Sequence, residues 1–143
     1  MTRVLLVVNG PAYGSDETYN ALRLAIALAE RDDVDPTVFL MGDAVTCAVC
    51  GQHTPEGYYQ VDRMLRTFSR KGGTVACCGT WLDARGLTAD RLIEEAARST
   101  MAELAAWTVE ADRVRTFLIT ARGADRRPAT TSRRRRRRGR PSG

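Results

Sequence analysis

Two hydrophobic rhythms alternate along this chain. Solid apolar runs occupy Val4–Val8, Thr37–Met41 and Val75–Cys78, and a fourth lies within Arg113–Thr120. Runs this short, bounded by turn residues such as Asn9-Gly10-Pro11 and Gly42-Asp43, read as strands buried on both faces. Between them, Thr18–Ala29, Asp62–Arg70, Thr88–Ser99 and Met101–Ala111 carry helix formers with an apolar stripe, and Gly72-Gly73 stops the second of these. Ser15 or Asp16 is placed to cap the first helix. Strands alternating with helices of this length predict βαβ units. The expected fold is therefore a three-layer α/β/α arrangement with a mainly parallel sheet of four to five strands. A fifth strand would fall in Ala44–Cys50.

Charge divides the chain in two. Residues 1–121 hold twelve Lys/Arg against sixteen Asp/Glu, a net −4, whereas residues 122–143 hold ten Arg against one Asp, a net +9. One domain over 1–121 and a disordered arginine-rich tail over 122–143 follow from that split. Arg133–Arg138 is an unbroken run, suited to non-specific RNA or polyanion binding by counterion release. The plainer reading, and the preferred one, is an extension with incidental polyanion affinity. No apolar run approaches the length of a membrane span, and the short apolar start lacks a signal-peptide pattern. A cytoplasmic protein without integral membrane association is expected, and its four cysteines are expected as free thiols.

The candidate chemistry centres on Cys77-Cys78 at the end of the third apolar run. In a parallel sheet that point is the carboxyl edge, where ligands gather. Alternation sends the two side chains to opposite faces, and Cys78, nearest the turn, is the stronger candidate for a reactive thiol. Arg85 and a helix expected to start at Thr88 would favour the thiolate, with Asp83 opposing that effect unless it pairs with Arg85. Trp81 would cover the site or pack between subunits. The Asn9–Thr18 loop, with Ser15 and Asp16, matches neither a dinucleotide fingerprint nor a phosphate-binding loop. It reads as a cap or as pocket lining. Cys47-Ala48-Val49-Cys50 lacks the second pair that a zinc site needs. It reads as buried small residues, with Cys47 a candidate resolving or pocket thiol. His53, the only histidine, falls in a polar stretch expected to be an exposed loop. No cofactor or metal is expected.

Asn9–Glu17, Phe39–Val45, Gly51-Gln52, Thr54–Tyr59, Cys78-Gly79-Thr80, Leu82–Leu87 and Ser99–Ala105 together resemble, in order and spacing, the DsrE/DsrF-like family, particularly its YchN-like branch. The resemblance covers roughly residues 3–119 and excludes the arginine tail. It implies a trimeric or hexameric α/β/α protein in which a strand-end cysteine accepts sulfane sulfur as a persulfide. That cysteine would pass the sulfur from a donor protein to an acceptor protein. Cys78 stands at that position, and Arg85 would steady the anionic sulfur. Many relatives in that branch read Cys-Gly-Thr-Cys, whereas this chain has Trp81 in place of the second thiol. A single-cysteine carrier is compatible with that departure, while a local disulfide is not. The alternative is a non-catalytic oligomeric module of the same fold that binds a small ligand or a protein.

Overall fold

A computed structural model describes residues 1–14 and 16–118. Ser15 and the arginine-rich tail, with the roles expected of them, lie outside the described residues. Five strands, β1 (Thr2–Val8), β2 (Val34–Leu40), β3 (Thr74–Cys78), β4 (Ala96–Ser99) and β5 (Arg113–Phe117), pair in the order β4-β3-β2-β1-β5. Every pairing is parallel. Pro36 interrupts β2 without breaking the sheet, because pairing with β3 begins only at Thr37.

Four helices connect the strands: α1 (Asp16–Ala29), α2 (Val61–Arg70), α3 (Gly79–Ala84) and α4 (Met101–Glu110). The first three crossovers step outward from β1, and the fourth returns past β1 to place β5 on its other side. Right-handed crossovers then put α1 and α2 on one face and α4 on the other. The buried side chains agree. Val4, Leu6, Val8, Val38, Leu40, Val75 and Cys77 pack with Leu22 of α1 and Leu65 and Phe68 of α2. Leu5, Val7, Phe39, Ala76 and Cys78 pack with Leu104 of α4, and Trp107 and Ala111 lie against them. The sheet is thus a middle layer between helices.

The solid apolar runs became β1, β2 and β3, and the fourth expected strand is β5, whose residues are exposed except for the half-buried Phe117. Two expectations fail. Ala44–Cys50 is not a strand, because Gly42–Ala48 is a 3-10 helix tucked over the first face. The fifth strand is β4, inside the segment expected to be helical from Thr88 to Ser99. There only Ala89–Arg91 turns, as a single 3-10 turn. Pairing with β3 through Val75↔Ala96 to Cys78↔Ser99 outweighs the helix propensity of Ala96-Ala97-Arg98. The helix that does start beside the cysteines is α3, with Cys78 as its N-cap residue.

Candidate functional site

Cys77 and Cys78 end β3, and the pleat sends them to opposite faces. Cys77 is sealed under α1 and α2, with Cys47 in the same cluster. Cys78 faces α4. Burial pushes the Cys47 thiol up to about 12, with the neighbouring Cys77 adding to the effect. Burial likewise pushes Cys77 up to about 12, with Cys78 adding. These two thiols stay protonated at neutral pH. Cys47 therefore keeps company with Cys77 across the sheet from Cys78, away from the place a resolving thiol would occupy. Cys50 is half-buried, and its Sγ donates to the Arg91 carbonyl at 3.1 Å. His53 is exposed.

Cys78 is 3% exposed. The chain leaves β3 directly into α3, so the thiol stands at a helix start on the carboxyl edge of the sheet. Across the strand pair its register neighbour is Ser99, also 3% exposed. The preceding β4 residue, Arg98, folds over the start of α3. Its Cζ, Nε and Nη2 all lie 2.9 Å from where a Cβ on Gly79 would stand. Only a glycine admits the guanidinium there. Arg98 is also gripped by Asp83 in a bidentate pair, Nη1 to Oδ1 at 2.7 Å and Nη2 to Oδ2 at 2.8 Å. That pair raises Arg98 above the ordinary arginine value, first through the hydrogen bond and then through the carboxylate charge. Negative charge on Cys78 contributes in the same direction. Asp83 is correspondingly lowered, chiefly by its hydrogen bond to Arg98.

Arg85 is committed elsewhere. It forms an ion pair with Asp43 and lies over the Trp81 ring, its Cζ 5.4 Å from the ring centroid. Asp83 pairs with Arg98 and not with Arg85. Trp81 is 40% exposed on α3. Asp16 stands near Tyr59, whose phenol is pushed up to about 12 by burial first, then by Tyr58, with Asp16 a smaller contributor. Tyr59 stacks on Tyr19 at 4.3 Å and on Tyr58 at 4.7 Å, so Asp16 belongs to a tyrosine cluster between α1 and the loop before α2. Thr88 donates to Asp90 and starts no helix of useful length. Of the expected site, Cys78 keeps its place at the sheet edge. Arg98 and Ser99 are its neighbours that sequence reasoning passed over.

The Arg98 geometry leads to a prediction. Gly79→Ala puts a methyl group against the end of a flexible side chain, so the fold survives and the guanidinium is displaced. Alkylation of Cys78 is expected to slow several-fold, by about the effect of one nearby charge. Arg98→Ala should slow it equally, and the double variant no further, because both changes remove one interaction. Additive losses in the double variant would show that Gly79 acts on Cys78 by another route.

Comparison with known proteins agrees with this architecture. The DsrE/DsrF-like family profile matches residues 2–117. Protein YchN of Escherichia coli is 42% identical over 118 residues, spanning 82% of this chain and 100% of the relative. Protein MJ0989 of Methanocaldococcus jannaschii is 32% identical over 112 residues, spanning 78% and 96% respectively. The crystal structure of the Escherichia coli YchN protein superposes with a TM-score of 0.77, covering 82% of this chain and 100% of that one at 42% identity. Protein MTH1491 of Methanobacterium thermoautotrophicum, at 14% identity, shares the fold with a TM-score of 0.65 over 80% and 99% of the two chains.

Proposed function

The chain belongs to the DsrE/DsrF-like family, which is associated with sulfur relay, and from that premise we propose that Cys78 carries sulfane sulfur as a persulfide. The observation that supports this most is the setting of the thiol. It lies at the carboxyl end of β3 and the start of α3, and the Arg98 guanidinium is seated against the next residue. A cation beside a sulfur favours its anion, the nucleophilic form.

The chemistry is a pair of displacements. Cys78 thiolate attacks the outer sulfur of a donor persulfide, R–S–SH. A sulfur–sulfur bond to Cys78 forms as the donor bond breaks, and R–S⁻ leaves with the electron pair. An acceptor thiolate then attacks the outer sulfur of Cys78–S–SH and regenerates the Cys78 thiolate. Sulfane sulfur keeps its oxidation state in both steps, so neither an oxidant nor a reductant is consumed. Arg98 stabilises the anion before and after each step. Asp83 holds Arg98 in place and limits its net charge.

The reading includes donor and acceptor proteins as partners, a cytoplasmic setting and assembly as a homo-trimer or homo-hexamer. Exposure of Met101 (56%), Val109 (87%) and Val114 (42%) around α4 and β5 supports assembly. Light scattering at micromolar concentration should therefore show no stable monomer. Among the described residues no helix is long and apolar enough to cross a membrane. One observation favours a second reading, a binding module without transfer: Cys78 lies among Leu5, Val7, Phe39 and Leu104 with little surface of its own.

Incubating the reduced full chain with glutathione persulfide and measuring intact mass separates the two readings. A carrier gains about 32 Da. The adduct should vanish in Cys78→Ser and persist in Cys47→Ser. Equal loading of all four cysteines, or none under conditions that load a control thiol, leaves the binding module.

A further inference from the structure

Ser99 has a buried hydroxyl for which the described residues provide no hydrogen-bond partner. Buried polar groups are almost always paired, and one left alone weakens the fold. Its neighbours on both sides are already engaged. Thr100 caps α4, its Oγ1 accepting from the Glu103 amide at 3.1 Å, and Arg98 holds Asp83. Ser99 is the register partner of Cys78 on the adjacent parallel strand, so the two side chains project to the same face at the same height. The hydroxyl nevertheless makes no hydrogen bond to the resting sulfur.

A persulfide extends Cys78 by one sulfur atom, about 2 Å beyond Sγ. We propose that Ser99 is the receptor for that added atom: its hydroxyl donates a hydrogen bond to the outer, anionic sulfur of Cys78–S–S⁻. The unpaired donor then finds its partner in the loaded state. Adjacent-strand placement makes the role specific to the loaded state, because the hydroxyl makes no hydrogen bond to the resting sulfur and the persulfide carries a second sulfur beyond it on the same face. Ser99 thus discriminates the persulfide from the thiol, whereas Arg98 serves both. This inference rests on the persulfide reading of Cys78.

The test compares the full-length chain with its Ser99→Ala variant in three measurements. The first is the exchange equilibrium with glutathione, in which Cys78–S–SH and glutathione give Cys78–SH and glutathione persulfide. Losing a hydrogen bond to an anion should shift this at least about tenfold toward the glutathione side. The second is iodoacetamide alkylation of unloaded Cys78 across pH, which should stay within about twofold. The third is the thermal midpoint, which should not fall, because the substitution removes a hydroxyl with no partner. An unchanged exchange equilibrium overturns the inference. An equal loss in alkylation also overturns it, showing that Ser99 serves the thiolate. A lowered midpoint, or failure to fold, overturns it by revealing a structural hydroxyl. If the unsubstituted chain never loads at Cys78, the persulfide reading itself fails, an outcome separate from all of these.

Discussion

Iodoacetamide at pH 8 is expected to label Cys50 and Cys78 in the native, reduced protein and to leave Cys47 and Cys77 untouched, while all four react in urea. Cys47 and Cys77 are fully buried, and desolvation pushes each thiol from an ordinary 9.0 to about 12. At pH 8 a thiol of pKa near 12 is ionised to only about one part in ten thousand. Reactivity follows the thiolate, so these two buried thiols are nearly inert even before access is counted. The same shifts act on stability. Between pH 9 and 12 the unfolded chain releases these two protons and the folded chain keeps them, so stability falls as pH rises through that window. Each retained proton steepens the fall by about 1.4 kcal/mol per pH unit. Tyr59, raised from 10.0 to about 12, adds to it from pH 10 upward. Urea midpoints measured from pH 8 to 11 should decline, and Cys47→Ala should flatten the slope. Midpoints independent of pH in that range, or labelling of Cys77 at the rate of Cys50, would show that the inner face of β3 is open to water.

The pairing of an inert Cys77 with a functional candidate at Cys78 was legible from the chain, because alternation is a property of any strand. So were four strands, whose β-branched runs have few other uses. β4 was not. Its Ala96-Ala97-Arg98-Ser99 has the composition of a helix, and two of its four residues are exposed, so no alternation survives to mark it. Its strand character comes from β3, which offers an open edge at the right register. That single loss hid two neighbours of Cys78. Arg98 and Ser99 come near Cys78 only through a strand next to it, and as part of a helix they had no reason to be considered. Arg85, seven positions beyond Cys78 in sequence, took the part instead, although its real partners are Asp43 and Trp81. Cross-strand partners separated by about twenty residues leave no local signal. α3 was equally obscured, since Gly79, Thr80 and Trp81 are indifferent helix formers.

Gly73→Ala is expected to destabilise the protein by about 3 kcal/mol, at the upper end of overpacking effects, although its methyl group is the smallest possible addition. A Cβ at residue 73 would stand 2.2, 2.3 and 2.5 Å from three atoms of the Phe68 ring. That ring is fully buried among the helices and the sheet and has nowhere to retreat. The backbone is pinned as well. Gly73 N–H donates to the Phe68 carbonyl at 3.1 Å, and Gly72, at φ +97°, reverses the chain just after α2. Relief must come from moving α2 or from shifting the start of β3. The second route bears on function, because a slip of one residue in β3 exchanges the faces of Cys77 and Cys78. Gly73 therefore helps decide which sulfur shares a face with Ser99. Phe68→Leu in the Gly73→Ala background should recover part of the loss, giving a double variant more stable than the sum of the single effects. Urea unfolding of the four chains measures this coupling, and strict additivity would mean that the Phe68 ring does not hold residue 73 at glycine.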